Sequence, residues 1–256
     1  MFARAIVRPP SLNFAAGLTT ANLGEPVYET ARSQHHVYCE ALERCGLTLT
    51  RLDPDAAYPD STFVEDTAVL TATCAIITRP GAPSRAEEIV SVAGAVSNFY
   101  QQVAYIQSPG AIDGGDVCRI EDRFLIGISE RTNEAGARQL AGFLHTAGYD
   151  SEFVDIRDMP GLLHLKSGLA YLGDRRLVAV KALADHSLLR EFDVITVPPG
   201  EEPAANCIRI NAHVLIAAGC HRFQSILEEL GYHTIALEMS EFQKMDGGLS
   251  CLSLRF

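Results

Sequence analysis

The sequence lacks the features that mark membrane, secreted and nucleic-acid-binding proteins. No apolar run approaches the roughly 18–20 residues needed to cross a bilayer. Arg4 and Arg8 interrupt the N-terminal apolar stretch, which therefore has no signal-peptide core, and we expect a cytoplasmic protein. The formal net charge is −11, whereas nucleic acids and anionic membranes attract clustered Lys and Arg. We therefore expect neither of them as a partner.

Paired metal ligands and a disulfide framework are also missing. The seven cysteines are irregularly spaced and include no Cys-x-x-Cys pair. The eight histidines include no His-x₃-His or His-Glu-x-x-His pair. We therefore predict no metal site, no cofactor and no structural disulfides.

What is present is an ordinary globular composition, with 47% hydrophobic and 21% charged residues. The chain is long enough to bury a large core. No low-complexity tract and no domain-length linker divides it, so we predict one domain over residues 1–256.

One pattern recurs along the chain in the order strand, strand, helix, strand. Four hairpins are predicted at residues 65–78, 113–127, 164–180 and 206–218. Helices follow at 84–101, 133–147, 182–190 and 221–230, the first with Ser84 as its N-cap. Third strands follow at 103–107, 152–156, 194–197 and 234–237. A fifth unit combines a C-terminal strand, 249–254, with an N-terminal strand, 3–8, a helix over 25–45 and a strand over 47–52.

The polar residues that open the five hairpins show the period of this repeat. They lie 42 to 51 residues apart, at Glu65, Asp113, His164, Asn206 and Cys251. A supersecondary unit that recurs at such a period indicates a repeat architecture. Radial repetition removes exposed sheet edges when the two chain ends pair. We predict an α/β fold, a five-bladed α/β propeller of ββαβ repeats, closed by pairing of the N- and C-terminal strands.

Cys251 follows Gly247-Gly248 and, taken alone, is best interpreted as a small buried hydrophobic residue. The repeat changes that interpretation, because equivalent positions converge near one end of a propeller axis. A converging thiol, imidazole and carboxylate indicate covalent catalysis by a thiolate, with His164 as the general acid and base.

The surplus of acidic residues points to the substrate. Asp60, Glu65, Asp66 and Asp113 would repel the oxyanion of an acyl-transfer reaction. They suit a planar cationic guanidinium, which donates paired hydrogen bonds to carboxylates. The expected electrophile is a guanidinium carbon.

Six stretches in order resemble the dimethylarginine dimethylaminohydrolase family, within the guanidine-modifying (amidinotransferase and arginine deiminase) superfamily. They are Tyr58–Asp66, Ala75–Ala82, Arg131–Asn133, Leu163–Leu172, Ala204–Ile208 and Asp246–Phe256. The resemblance covers the whole chain. It implies a five-fold α/β propeller that hydrolyses asymmetric dimethylarginine and monomethylarginine to L-citrulline and a methylamine, through a covalent cysteine-thiouronium intermediate.

The resemblance also implies a role for each site residue. Cys251 attacks the guanidinium carbon, His164 protonates the departing amine and then activates water, and Asp113 orients His164. The substrate-binding residues implied are Asp60, Glu65 and Asp66 for the guanidinium nitrogens, Phe63 for the methyl groups, Arg85 and Arg131 for the α-carboxylate, Leu18 in a lid over residues 17–24 for the α-amino group, and Met245 for a backbone contact.

Two other functions stay open at this stage. One is an arginine deiminase-like or other guanidine hydrolase. The other is a catalytically silent amino-acid-binding protein. The partner expected is a small molecule, a methylated arginine, and the sequence leaves a homodimer open.

Overall fold

Five three-stranded β-sheets form the framework, each built by the same pairing. The computed structural model describes residues 1–256. In every sheet the central strand pairs antiparallel with one neighbour. It pairs in parallel with the strand that returns after a helix. The predicted ββαβ repeat is confirmed.

The elements group into five modules. The first contains β1 (Arg4–Val7), α1 (Tyr28–Arg44) and β2 (Thr48–Arg51). The second contains β3 (Ala68–Leu70), β4 (Ala75–Ile77), α2 (Ile89–Val96) and β5 (Val103–Tyr105). The third contains β6 (Val117–Ile120), β7 (Arg123–Ile128), α3 (Glu134–Thr146) and β8 (Asp150–Asp155). The fourth contains α4 (Leu165–Gly168), β9 (Leu169–Gly173), β10 (Arg176–Ala179), α5 (Lys181–Ala184) and β11 (Asp193–Thr196). The fifth contains β12 (Ile208–Ile210), β13 (His213–Ala217), α6 (His221–Glu229), β14 (His233–Leu237) and α7 (Ser240–Gln243).

The last strand, β15 (Leu254–Arg255), belongs to the sheet of the first module. It pairs antiparallel with β1, with Ala5 opposite Arg255 and Ile6 opposite Leu254. The predicted pairing of the two chain ends is therefore confirmed.

Buried apolar clusters bridge neighbouring modules around a ring. One cluster joins the first module to the second, and another joins the second to the third. The largest cluster, of 25 buried residues, spans the third, fourth and fifth modules. A cluster of 20 returns from the fifth module to the first. Since each module packs against the next, the residues at one end of every module face a common axis.

Helix α3 shows how the sequence fixes a module. The side chain of Asn133 accepts a hydrogen bond from Gly136 N at 2.8 Å, so it caps the start of the helix. Ala137, Leu140 and Leu144 lie on one face and are fully buried. Burial of each leucine contributes about 1.5–3 kcal/mol, so this face holds the helix against its sheet.

The predicted strand over 249–254 is wrong in its first part. Residues Ser250–Leu252 form a 3-10 turn that contains Cys251, and only Leu254–Arg255 pair as a strand. Leu249 and Leu252 are both buried and lie three residues apart, which is the period of a 3-10 helix. Over so short a segment the apolar pattern does not separate a turn from a strand.

The same correction applies to the other four hairpins. Glu65 lies in a 3-10 turn, Val64–Thr67, and Asp113 immediately precedes another, Gly114–Asp116. His164 precedes α4, and Asn206 ends a 3-10 turn. Each opening residue therefore lies on a tight turn before its strand, and the five remain equivalent.

The predicted helix over 84–101 is shorter, and Ser84 does not cap it. Pro83–Arg85 form a separate 3-10 turn, and α2 begins at Ile89. The buried side chain of Arg85 donates hydrogen bonds to Glu88 and to Asp66 of the preceding turn. Because these bonds hold Arg85 in the interior, the turn that contains it is separate from the helix.

None of the helices is both long and apolar enough to cross a membrane.

Candidate active site

A narrow cavity opens where the turns before the strands converge. Its lining comes from six separate stretches of chain: Leu18, Asp60, Phe63, Asp66, Arg85, Arg131, Leu163, His164, Met245, Asp246, Gly247 and Cys251. The structure thus brings nine of the eleven predicted site residues to one cavity. The two others, Asp113 and Glu65, lie behind it.

Cys251 is half-buried at the cavity wall, and Gly248 N approaches its sulfur at 3.4 Å. Glycines precede it because there is no room for side chains. A Cβ on Gly247 would collide with the ring of Phe63, and one on Gly248 would collide with the amide of Asn206. Burial, followed by the charges of Glu65 and Asp66, raises the pKa of Cys251 to about 12. The resting side chain is therefore a thiol.

His164 and Asp113 form a buried pair. The Nε2 atom of His164 lies 2.9 Å from Oδ2 of Asp113, and Gly81 N donates to Oδ1 of the same carboxylate at 2.8 Å. An aspartate acceptor fixes the proton on Nε2. Burial alone would lower the pKa of His164, but the carboxylates of Asp66, Asp116 and Asp113 raise it to about 9. His164 therefore holds its proton at neutral pH.

Two carboxylates line the cavity itself. Asp66 accepts from Arg85 Nη1 at 2.7 Å through Oδ2 and from Gly115 N at 2.9 Å through Oδ1. Both oxygens of Asp60 accept from the backbone nitrogen of Leu18, at 3.0 and 3.1 Å. Each carboxylate oxygen can accept more than one hydrogen bond, so both side chains keep acceptor capacity for a cation.

Glu65 faces away from the cavity. Its carboxylate accepts from Ser250 Oγ at 2.6 Å and pairs with Lys166 at 2.7 Å and with Arg255 at 2.9 Å. These partners and Glu65 line a second, larger cavity, to which Cys251 does not contribute. The contacts of Glu65 favour a role in holding the turn of Cys251 rather than the predicted direct contact with a guanidinium.

The two predicted carboxylate-binding arginines differ in their surroundings. Arg85 is buried, and its guanidinium bonds to Glu88, to Asp66 and to backbone carbonyls. These contacts use only one of the two hydrogens on Nη1. Arg131 is half-buried, and its guanidinium forms no ion pair or hydrogen bond within the chain. Arg131 therefore offers the freer site for an anionic group.

The predicted lid, residues 17–24, is docked over the cavity edge. Thr19 Oγ1 donates to the carbonyl of Lys244 at 2.8 Å, and Thr20 N donates to Asp246 Oδ2 at 2.5 Å. Asp246 has a φ of 57°, in the left-handed region that a side chain rarely adopts. Sequence reasoning did not single out Asp246, although it begins the Asp-Gly-Gly motif before Cys251.

Comparison with known proteins decides the family. No protein-family model matches the chain. The chain is 42% identical to the N(G),N(G)-dimethylarginine dimethylaminohydrolase of Pseudomonas aeruginosa, over 100% of both chains. It is 36% identical to the enzyme of that name from Streptomyces coelicolor, over 98% of this chain and 96% of the relative.

The chain belongs to the dimethylarginine dimethylaminohydrolase family. A crystal structure of a mutant of the Pseudomonas aeruginosa family member, complexed with citrulline, covers 100% of both chains with a TM-score of 0.97. The N-terminal domain of ArgZ, an arginine dihydrolase from cyanobacteria, shares the fold at 17% identity, with a TM-score of 0.87 over 100% of this chain and 97% of that chain. The five-bladed α/β propeller is therefore shared beyond the dimethylarginine dimethylaminohydrolases.

One cluster of side chains in this protein is compact enough to surround a metal ion. Ligand atoms of Asp66, Asp113 and His164 lie within 4.8 Å of one another. However, Nε2 of His164 is bonded to Asp113, and both oxygens of Asp66 are bonded to Arg85 and Gly115. The donor atoms already hold each other, so the cluster fits an internal network better than a cation.

Proposed function

We propose that this protein hydrolyses asymmetric dimethylarginine and monomethylarginine to L-citrulline and the corresponding methylamine. The observation that carries the proposal is the meeting of Cys251, His164, Asp60 and Asp66 at one cavity. The 42% identity to a dimethylarginine dimethylaminohydrolase over the whole chain supports it. The whole chain is proposed as one catalytic unit.

Binding comes first and prepares the nucleophile. A guanidinium placed between Asp60 and Asp66 donates hydrogen bonds to their carboxylates, and Phe63 offers an apolar wall to the methyl groups. The arriving positive charge offsets the carboxylates that keep Cys251 protonated, so the pKa of the thiol falls. His164 already carries a proton, so the thiol proton passes to solvent. We expect Arg131, and Arg85 through its remaining Nη1 hydrogen, to bind the α-carboxylate.

The chemistry then proceeds in two halves. The Cys251 thiolate adds to the guanidinium carbon, and the carbon–nitrogen bond to the methylated nitrogen breaks as His164 gives that nitrogen its proton. Dimethylamine leaves and a covalent thiouronium remains. His164, now neutral, takes a proton from water, whose oxygen attacks the same carbon. The carbon–sulfur bond breaks while the added hydroxyl loses its remaining proton to solvent, and citrulline and the Cys251 thiolate are released.

The test is to incubate the purified protein with asymmetric dimethylarginine and to measure citrulline and dimethylamine. We expect both in equal amounts, and neither with Cys251→Ser. Ammonia and citrulline released from arginine, without turnover of the methylated substrate, would point to the deiminase alternative. Binding without turnover in both proteins would point to a silent amino-acid-binding protein.

Two finer predictions stay proposals. A cytoplasmic location is tested by cell fractionation. A homodimer is tested by analytical ultracentrifugation.

A further inference from the structure

Asp116 is a fully buried carboxylate outside the cavity, at the end of the 3-10 turn that Asp113 precedes. Its Oδ2 accepts from the hydroxyls of Ser129 and Thr132, both at 2.6 Å. Its Oδ1 accepts from Leu165 N at 2.9 Å. None of the roles proposed above uses this side chain.

The hydrogen bonds around Asp116 have only one consistent direction. Ser129 Oγ already accepts from the backbone nitrogens of Arg131 and Thr132, both at 3.0 Å. Thr132 Oγ1 already accepts from Asp113 N at 3.1 Å. Each hydroxyl proton is therefore directed at Asp116, which receives three donors. Burial raises the pKa of Asp116, while three donors and the nearby His164 oppose that rise and favour the ionised form.

Each of the three donors is linked, by a peptide bond or a hydrogen bond, to a residue that the proposed reaction uses. Leu165 follows His164 in the chain. Thr132 holds the backbone of Asp113, and Ser129 holds the backbone of Arg131. We propose that Asp116 is a positioning residue that fixes the general acid, its carboxylate partner and the substrate-binding arginine relative to one another. The inference rests on the proposed function, because those roles come from it.

The surroundings leave Asp116 little freedom to do anything else. A Cβ on Gly127 would lie 2.9 Å from its Oδ1 and 3.0 Å from Cβ of Leu165, so the β7 backbone closes the space beside the carboxylate. An asparagine has a single acceptor oxygen. Asp116→Asn therefore keeps the shape but loses at least one of the three bonds.

A second effect separates positioning from simple structural support. The groups facing His164 are the carboxylates of Asp66, Asp113 and Asp116, together with the Cys251 thiol across the cavity. Replacing Asp116 with a neutral amide removes one of the negative charges that hold the proton on His164. The imidazolium should then lose its proton at a lower pH than in the unmodified protein.

The chain offers a matched control at Glu201, which lies in the fifth module and does not line the cavity. Its carboxylate is also largely buried, and it accepts from Phe223 N at 2.8 Å and from Arg222 N at 3.2 Å at the start of α6. Glu201→Gln should lower the melting temperature while kcat, KM and the His164 titration stay as they are. It therefore measures what the loss of a buried carboxylate does by itself.

The experiment compares the unmodified protein, Asp116→Asn, Thr132→Val and Glu201→Gln. We measure kcat and KM for asymmetric dimethylarginine, the melting temperature, and the pH titration of the His164 ring by NMR with nitrogen-15-labelled histidine. His164→Gln assigns the signal. We expect Asp116→Asn to lower kcat roughly 10- to 100-fold, as loss of supporting contacts does around other active centres, with a smaller change in KM. We also expect it to shift the His164 titration to lower pH.

Three outcomes overturn the proposal. The first is a kcat within twofold of the unmodified protein in Asp116→Asn. The second is a lower kcat with the His164 titration unmoved, since that is structural damage alone. If Asp116→Asn does not fold, Thr132→Val decides, because it keeps the Asp116 carboxylate and removes only the Thr132 hydroxyl, which donates to Asp116 and accepts from Asp113 N. An unchanged kcat in Thr132→Val is the third. No turnover by the unmodified protein would instead sink the proposed function, while the His164 titration still tests the positioning.

Discussion

Cys251 should be a slow nucleophile in the absence of substrate. Cys251 is half-buried beside the carboxylates of Glu65 and Asp66, and its pKa is raised to about 12. At pH 8 that pKa leaves roughly one thiolate in 10⁴, against about a quarter for a free cysteine of pKa about 8.5. The difference in thiolate population is a little over three orders of magnitude.

A second effect partly offsets this difference. A thiolate of higher pKa is more nucleophilic, with a Brønsted slope of about 0.4–0.5 in thiol–disulfide exchange. Over the interval between the two pKa values, that slope makes the Cys251 thiolate about 40-fold more reactive than the thiolate of free cysteine. The population effect wins, and Cys251 should react roughly 50-fold more slowly than free cysteine at pH 8.

The assay is exchange with 2-hydroxyethyl disulfide, a small neutral reagent, followed by mass spectrometry of the peptide that contains Cys251. The rate should rise tenfold per pH unit from pH 6 to 10 without levelling. Cys251→Ser gives the background. Glu65→Gln should accelerate the reaction, because it removes a carboxylate beside the thiol and frees Lys166 and Arg255 to stabilise a thiolate. A rate that levels near pH 8.5, or one unaffected by Glu65→Gln, would refute the reasoning.

Three further predictions concern binding, the turn and closure of the ring. Arg131→Ala should raise KM for asymmetric dimethylarginine roughly tenfold or more with a smaller effect on kcat, whereas Arg138→Ala, on the exposed face of α3, should leave steady-state kinetics unchanged. Gly247→Ala should cost about 1–3 kcal/mol of unfolding free energy, measured by urea denaturation, because its Cβ collides with Phe63; a stability equal to that of the unmodified protein would contradict this. Truncation after Gly248 removes three buried leucines worth roughly 5–9 kcal/mol, comparable to the whole stability of a domain, so circular dichroism should show an unfolded chain.

The fold could be predicted from the sequence because two separate patterns indicate the repeat. Each module shows the hydrophobic periods of its own strands and helix, and the spacing of the modules shows that they are equivalent. The incomplete fifth module then had one solution, which the pairing of β1 with β15 confirms. The prediction that failed concerns the short segment around Cys251. A turn and a strand have the same apolar pattern over so few residues, and only packing against the neighbouring module decides which of the two forms.

The site was less accessible to sequence reasoning, because its details depend on contacts between modules. The direction that Glu65 faces is set by Lys166 of the fourth module and Arg255 at the chain end. Asp116 lies three residues after Asp113 in the sequence. Its proposed role depends on hydrogen bonds from hydroxyls on the next loop and from a backbone amide of the fourth module. No spacing in a single sequence reports such contacts.

The charges around Cys251 couple substrate choice to activation. The Asp66 carboxylate that can hold a guanidinium also disfavours the thiolate, and so does Glu65 on the other side of the turn. With a pKa of about 12, ionising the thiol at pH 8 costs about 5 kcal/mol, and a bound cation lowers that cost through the same carboxylates. A neutral amino acid of the same shape would occupy the cavity without releasing the nucleophile. Discrimination against neutral ligands therefore arises in the formation of the thiolate as well as in binding.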